Sequence, residues 1–99
     1  MKINISSIHF KADQKLEGFI QEKLSKLSTI YDGVLGSEVT LKLDKDEKME
    51  NKITEIKLFV KGNDLFAKKQ SKSFEEATDD AIEALRKQLT KRKEKIKGV

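Results

Sequence analysis

Residues 54–67 read Thr54-Glu55-Ile56-Lys57-Leu58-Phe59-Val60-Lys61-Gly62-Asn63-Asp64-Leu65-Phe66-Ala67. Thr54, Ile56, Leu58 and Val60 alternate with Glu55, Lys57 and Phe59, the two-residue period of a strand with one buried face. Gly62-Asn63 suits a type II′ turn, whose first central residue takes positive φ. A two-residue turn there pairs Lys61 with Asp64, Val60 with Leu65, Phe59 with Phe66 and Leu58 with Ala67. Opposite charges would then meet at the turn and similar surfaces across the strands. The expectation is an antiparallel hairpin.

Upstream, Val39, Leu41 and Leu43 alternate with Glu38, Thr40 and Lys42, a second strand joined to the hairpin by a polar connector over residues 44–52. Before it, Leu16, Ile20, Leu24, Leu27 and Tyr31 recur at helical spacing, Phe19 widens the stripe, and Asp13 is placed to cap the helix. Asp32-Gly33 and Gly36 end that helix. Residues 2–10 alternate at Ile3 and Ile5 and form the first strand. Downstream, Ser73-Phe74-Glu75-Glu76 is a capping box, and Phe74, Ala77, Thr78, Ala81, Ile82, Leu85 and Leu89 share one helical face. The order is β-α-β-β-β-α. A right-handed β-α-β start makes the first two strands parallel and the hairpins make the rest antiparallel. The fold class is α+β, a four-stranded mixed sheet with two helices on one face. Residues 1–99 contain no repeat, low-complexity tract or linker, so a single domain is expected.

Composition narrows the chemistry. The 99 residues include no cysteine, proline or tryptophan, which removes disulfides, thiolate nucleophiles and cysteine zinc sites. No apolar run approaches the roughly 20 residues of a membrane span, and the first residues lack a secretory apolar segment. A cytoplasmic location is expected. His9, the single histidine, cannot by itself build a zinc site or a triad. The acidic stretch over residues 44–50 resembles a calcium loop, with Glu55 twelfth from Asp44. Met49 stands where the loop needs glycine, however, and Lys48 where it needs a ligand. Asp79, Asp80 and Glu83 fall on an outer helix face, where nothing would raise a carboxylate pKa for acid catalysis. No enzyme activity, metal, cofactor or small-molecule substrate is expected.

Charge carries the functional signal. The formal net charge is +4, but residues 1–50 hold 8 Lys against 9 Asp and Glu, whereas residues 51–99 hold 13 Lys and Arg against 8 acids. Seven bases, Arg86, Lys87, Lys91, Arg92, Lys93, Lys95 and Lys97, accompany one acid, Glu94, over residues 86–97. Two or three cations would complement the negative end of a helix dipole, whose influence fades within a turn. Seven exceed that need and point to a polyanion. A helix over residues 74–95 is about 33 Å long, against roughly 20–26 Å for strands of six to eight residues. The helix should therefore overhang the sheet, and the overhang is the basic segment. Lys15, Lys23 and Lys26 lie along one flank of the first helix, with the Lys23 stem over the core edge. Phe59 and Phe66, paired on the open sheet face, would either stack bases, or stabilise the open sheet as a cross-strand pair, or contact a partner.

At Gly62-Asn63-Asp64-Leu65-Phe66-Ala67 and from Ser73 to Lys97, the chain resembles the ribosome hibernation promoting factor family, which includes the ribosome-associated inhibitor and was formerly called sigma-factor modulation proteins. The resemblance rests on the glycine-ended hairpin, on Ala77 and Asp79 after the helix cap, and on Gln88, Leu89, Lys91, Arg92, Lys93, Glu94, Lys95, Ile96 and Lys97. Lys23, Lys26, Leu27, Tyr31 and Asp32 follow in matching order. The chain departs from the family at Ser73, Glu75 and the acidic connector, and ending at Val99 it is similar to the short form. The resemblance implies a fold like that of double-stranded-RNA-binding domains. It also implies binding to the small ribosomal subunit in the mRNA and tRNA channel, and translation inhibition in stationary phase or stress. A separate ribosome-dimerising factor is often a partner. Lys23, Lys26, Arg86, Lys87, Lys91, Arg92, Lys93 and Lys95 are the expected rRNA contacts. The alternative is a protein-interaction module that modulates a transcription factor through the Phe59 and Phe66 face.

Overall fold

A computed structural model describes residues 1–45 and 49–97, with the last four of these, 94–97, as helical backbone only. The elements are β1 (Lys2–Ile8), α1 (Gln14–Ser25), a 3-10 turn (Lys26–Thr29), β2 (Val34–Leu43), β3 (Lys52–Val60), β4 (Leu65–Ser71) and α2 (Phe74–Lys97). The strands lie in chain order β1-β2-β3-β4. β1 and β2 are parallel, whereas β2–β3 and β3–β4 are antiparallel. The expected architecture is the observed one.

Local chemistry starts both helices where the sequence marks them. Asp13 Oδ1 accepts from the Leu16 N–H at 2.8 Å, and Ser73 Oγ accepts from the Glu76 N–H at 3.1 Å. Each satisfies a donor that has no partner inside the helix. The Glu76 carboxylate does not close the reciprocal half of the box. It accepts instead from Ser71 Oγ at 2.9 Å, which fastens the start of α2 to the end of β4. α1 tightens into the 3-10 turn after Ser25, where the Ser28 and Thr29 hydroxyls donate to the Ser25 and Lys26 carbonyls, both at 2.7 Å. Tyr31 therefore lies beyond the helical stripe, half-buried in the connection to β2.

β2 is longer than expected because Gly36 does not break the chain. Gly36 is inside the strand, at a bulge where the register shifts between Val34 and Gly36. A Cβ built on Gly36 would fall 2.8 Å from the Lys2 carbonyl oxygen. Glycine is required there so that the parallel neighbour can approach.

The β3–β4 register also differs from the expectation. Leu58 faces Leu65, Lys57 faces Phe66 and Ile56 faces Ala67, a shift of two residues from the tight-turn pairing. The shift is even, so the buried and exposed faces are kept. Tertiary bonds open the connection beyond two residues. The Lys61 N–H donates to the Gly33 carbonyl at 2.8 Å, and the Val60 N–H to Asp64 Oδ1 at 3.4 Å. Gly62 still takes the positive φ, at 100°.

One layer of side chains joins helices to sheet. Ile20, Leu24 and Leu27 meet Val39, Leu41, Ile56 and Leu58 from the sheet and Ala81, Leu85 and Leu89 from α2, all essentially without solvent exposure. Each large aliphatic side chain so buried contributes about 1.5–3 kcal/mol relative to exposure. Within this layer Thr54 Oγ1 and Thr78 Oγ1 lie 3.3 Å apart, both fully buried. They form a polar staple between β3 and α2. At the far end the Phe10 and Phe74 rings stack with centroids 4.8 Å apart. His9 turns the chain out of β1 with φ of 68° and is exposed.

Candidate nucleic-acid interface

α2 runs back along β4, and its contacts measure how far the sheet extends beneath it. Glu76 meets Ser71 at the start, Gln88 Nε2 donates to the Phe66 carbonyl at 3.3 Å, and Arg92 Nη1 donates to the Asn63 carbonyl at 2.6 Å. The sheet thus ends level with Arg92. Among the described residues, 93–97 project further, about 7.5 Å of helix. The basic segment is therefore not all overhang: Arg86 to Arg92 runs beside the sheet. Lys95 belongs to the projecting part, and its side chain lies outside the described residues.

Around the helix axis the cations divide. Arg86 and Lys93 fall on the α1 side, and Lys87 and Lys91 on the other, by their 100° spacing from the buried Leu85 and Leu89. Lys87 and Lys91 are exposed and Lys93 is half-buried. Lys23, Lys26 and Arg86 come together with Leu27, Ile30 and Ile82 in a groove of about 450 Å³ between α1 and α2. Lys15 does not join them. It lines a different groove with Phe10, Lys11 and Phe19 near the β1–α1 connection.

The groove cations have carboxylate company. Lys23 Nζ is 3.9 Å from Asp79 Oδ1 and 5.6 Å above the Phe19 ring, so its stem covers the core edge as expected. Glu83 takes both Arg86 donors, Nε at 3.0 Å and Nη2 at 2.6 Å. This hydrogen-bonded fork holds the Glu83 carboxyl below its ordinary pKa and raises that of Arg86. Both side chains are solvent-exposed, so the pair contributes little to stability.

Arg92 is placed differently. Its guanidinium reaches the hairpin tip, where Nη1 donates to the Asn63 carbonyl and Nη2 to the Lys61 carbonyl at 3.1 Å. Two further lysines adjoin the basic helix without having been singled out by charge runs. Lys69 of β4 lines a groove with Ala84 and Lys87, and exposed Lys61 stands on the tip that Arg92 holds. The signal for Lys69 was available. It is opposite buried Thr54 on the helix side of the sheet, where a lysine marks an edge strand.

Phe59 and Phe66 are not directly opposite each other on the open sheet face. Phe66 lies opposite Lys57, and the ammonium of Lys57 sits 5.5 Å from the Phe59 ring centroid. The two rings nevertheless stay on the same open face as diagonal neighbours, with Phe66 exposed. Among the described residues no group of three or more His, Asp or Glu side chains is arranged to hold a metal ion, and no helix is long and apolar enough to cross a membrane. The calcium-like stretch includes Asp46, Glu47 and Lys48, which lie outside the described residues.

The profile of the family described as sigma 54 modulation protein / S30EA ribosomal protein matches residues 3–97. The chain belongs to this family. Among its relatives, the ribosome hibernation promoting factor of Pseudomonas putida is 30% identical over 95 residues, covering 96% of this chain and 89% of that protein. The Escherichia coli K12 protein of the same name is 29% identical over 97 residues, covering 98% of each chain. Among solved structures, the N-terminal domain of Thermus thermophilus Protein Y superposes with a TM-score of 0.80 at 21% identity, over 92% of this chain and 98% of that one. A ribosomal subunit interface protein from Coxiella burnetii gives 0.83 at 19% identity, over 94% and 98%. These two likenesses establish the fold.

Proposed function

We propose that this protein is a ribosome hibernation factor: it occupies the mRNA and tRNA channel of the small ribosomal subunit and silences translation in stationary phase or stress, in the cytoplasm. The observation that carries the reading is the near full-length similarity to proteins named ribosome hibernation promoting factor. The surface supports it. Lys87 and Lys91 meet rRNA phosphates from one side of α2, Lys93 and Lys26 from the α1 side, and Lys95 from the projecting turn. Lys23 and Arg86 reach phosphate by exchanging Asp79 and Glu83 for it, and Arg92 adds charge while its guanidinium stays on the hairpin tip. Phosphate contacts of this kind release counterions and read little base sequence. Such a plug acts by occupancy and performs no reaction.

The test is sedimentation of small subunits on sucrose gradients with the pure protein, across a salt series. The wild type is expected to co-sediment, with affinity falling steeply as salt rises. Joint replacement of Lys87, Lys91 and Lys93 by glutamate should abolish co-sedimentation at moderate salt. Undiminished binding of that variant overturns the assignment. With whole ribosomes, the same gradient shows whether a separate dimerising factor is needed for ribosome pairs to form.

A further inference from the structure

Arg92 reads in the sequence as one more cation of the basic run, yet two of its donors go to backbone carbonyls at the tip of the β3–β4 connection. The arrangement is closely fitted. Gly62, between the two acceptor residues, has φ of 100°, and a Cβ there would lie 2.8 Å from Arg92 Nη2. The tip is held from its other side as well, by the Lys61 N–H on the Gly33 carbonyl at 2.8 Å. Asp64, the acid nearest the tip, turns its carboxylate back to the Val60 N–H at 3.4 Å. Lys61 remains exposed, at the same end of the molecule as the last turns of α2.

We propose that the hairpin tip forms part of the polyanion-binding surface, with Lys61 as a phosphate-contacting residue and Arg92 as the positioning residue that locks the tip to the helix end. The inference rests on the reading of the helix end as an rRNA-binding surface. Arg92 suits the task because its planar fork serves two carbonyls at once, which a lysine ammonium on a flexible stem does not reproduce. Fixing the tip before binding removes the ordering cost that a mobile lysine would bring to the encounter. Lys61 then presents its charge from a fixed position at the same end of the molecule as Lys91 and Lys93.

The experiment compares Lys61→Gln, Arg92→Lys and the double variant in a salt-series binding assay with purified small subunits, with Lys91→Glu as reference and thermal melts run in parallel. Lys61→Gln should reduce the slope of log affinity against log salt by about 0.7–0.9, the loss of one phosphate contact. Arg92→Lys keeps the charge and loses the fork, and it should weaken binding at least as much as Lys61→Gln. Adding Lys61→Gln to Arg92→Lys should then cost little more, since the tip is already released. That dependence of one residue on the other is not expected of a change that only lowers fold stability. Wild-type slope and affinity in Lys61→Gln, with Lys91→Glu impaired, overturn this inference alone. So do losses from the two substitutions that simply multiply. Failure of the wild type to bind small subunits overturns the reading of the helix end itself. Should Arg92→Lys melt below the assay temperature, Lys61→Gln at the exposed tip still decides whether the tip makes contact.

Discussion

Replacing Thr78 by valine keeps the side-chain shape and deletes the hydroxyl that faces Thr54 across the β3–α2 interface. Both residues are fully buried, and their oxygens lie 3.3 Å apart, longer than an ordinary hydroxyl–hydroxyl bond. The bond itself is therefore a minor contributor, and most of the loss comes from the Thr54 hydroxyl left without water or partner. Leaving a buried polar group unsatisfied costs about 1–3 kcal/mol. For a chain of this length each kcal/mol lowers the melting temperature by roughly 4–8 °C. Thr78→Val is expected to lose about 1.5 kcal/mol in urea denaturation, with an unchanged m-value. Thr54→Val should behave alike. The double variant, with no orphaned hydroxyl and two added methyl groups, should return to within about 0.5 kcal/mol of wild type, a coupling that a double-mutant cycle reads directly. A double variant as unstable as the sum of the singles would refute the reasoning, because it would mean that the pair contributes through geometry rather than through mutual satisfaction.

Gly36→Ala should weaken the β1–β2 pairing, since its Cβ would sit 2.8 Å from a backbone oxygen of Lys2. Hydrogen exchange should then accelerate in residues 2–8 before it does in β3. Glu83→Gln tests the exposed fork. Because Arg86 depresses the Glu83 pKa, the ion pair adds stability above the ordinary carboxylate range, and that contribution is lost as pH falls through the depressed value. The small melting difference from wild type should therefore be present at pH 7, vanish in strong acid and shrink in high salt. The same substitution removes the acid that Arg86 must give up on binding, so small-subunit affinity at fixed salt should rise while the salt slope stays the same. An unchanged affinity would show that Arg86 is not in contact with the RNA.

Sequence periodicity located the strands and helices because local and global preferences agree: the Asp13 and Ser73 caps form, and Leu85 and Leu89 are buried where the helical stripe puts them. The misses share one cause, which is long-range partnering. Gly62-Asn63 reads as a two-residue turn, but Gly33, Asp64 and Arg92 claim the backbone groups around it. Gly36 reads as a helix breaker, and only the position of Lys2 reveals why a strand needs it. For the interface, the concentration of bases on α2 was legible, whereas the division of labour among them was not. Arg92 becomes a clamp through residues 29 and 31 positions away. The engagement of Arg86 by Glu83 was within reach, since i,i+3 spacing permits it.

The two borders of the sheet are unlike each other. β4 carries Lys68 and Lys69, with Lys72 just after it, and charges on a border strand oppose pairing with a foreign chain. β1 has one charged side chain, Lys2 at its first position, and none from Ile3 to Ile8, and its outward backbone groups have no strand beside them. Crowding acts unequally on such a body. Any unwanted fibre-like self-assembly of this protein would begin along β1, and the lysines of β4 would keep it from propagating through the opposite border.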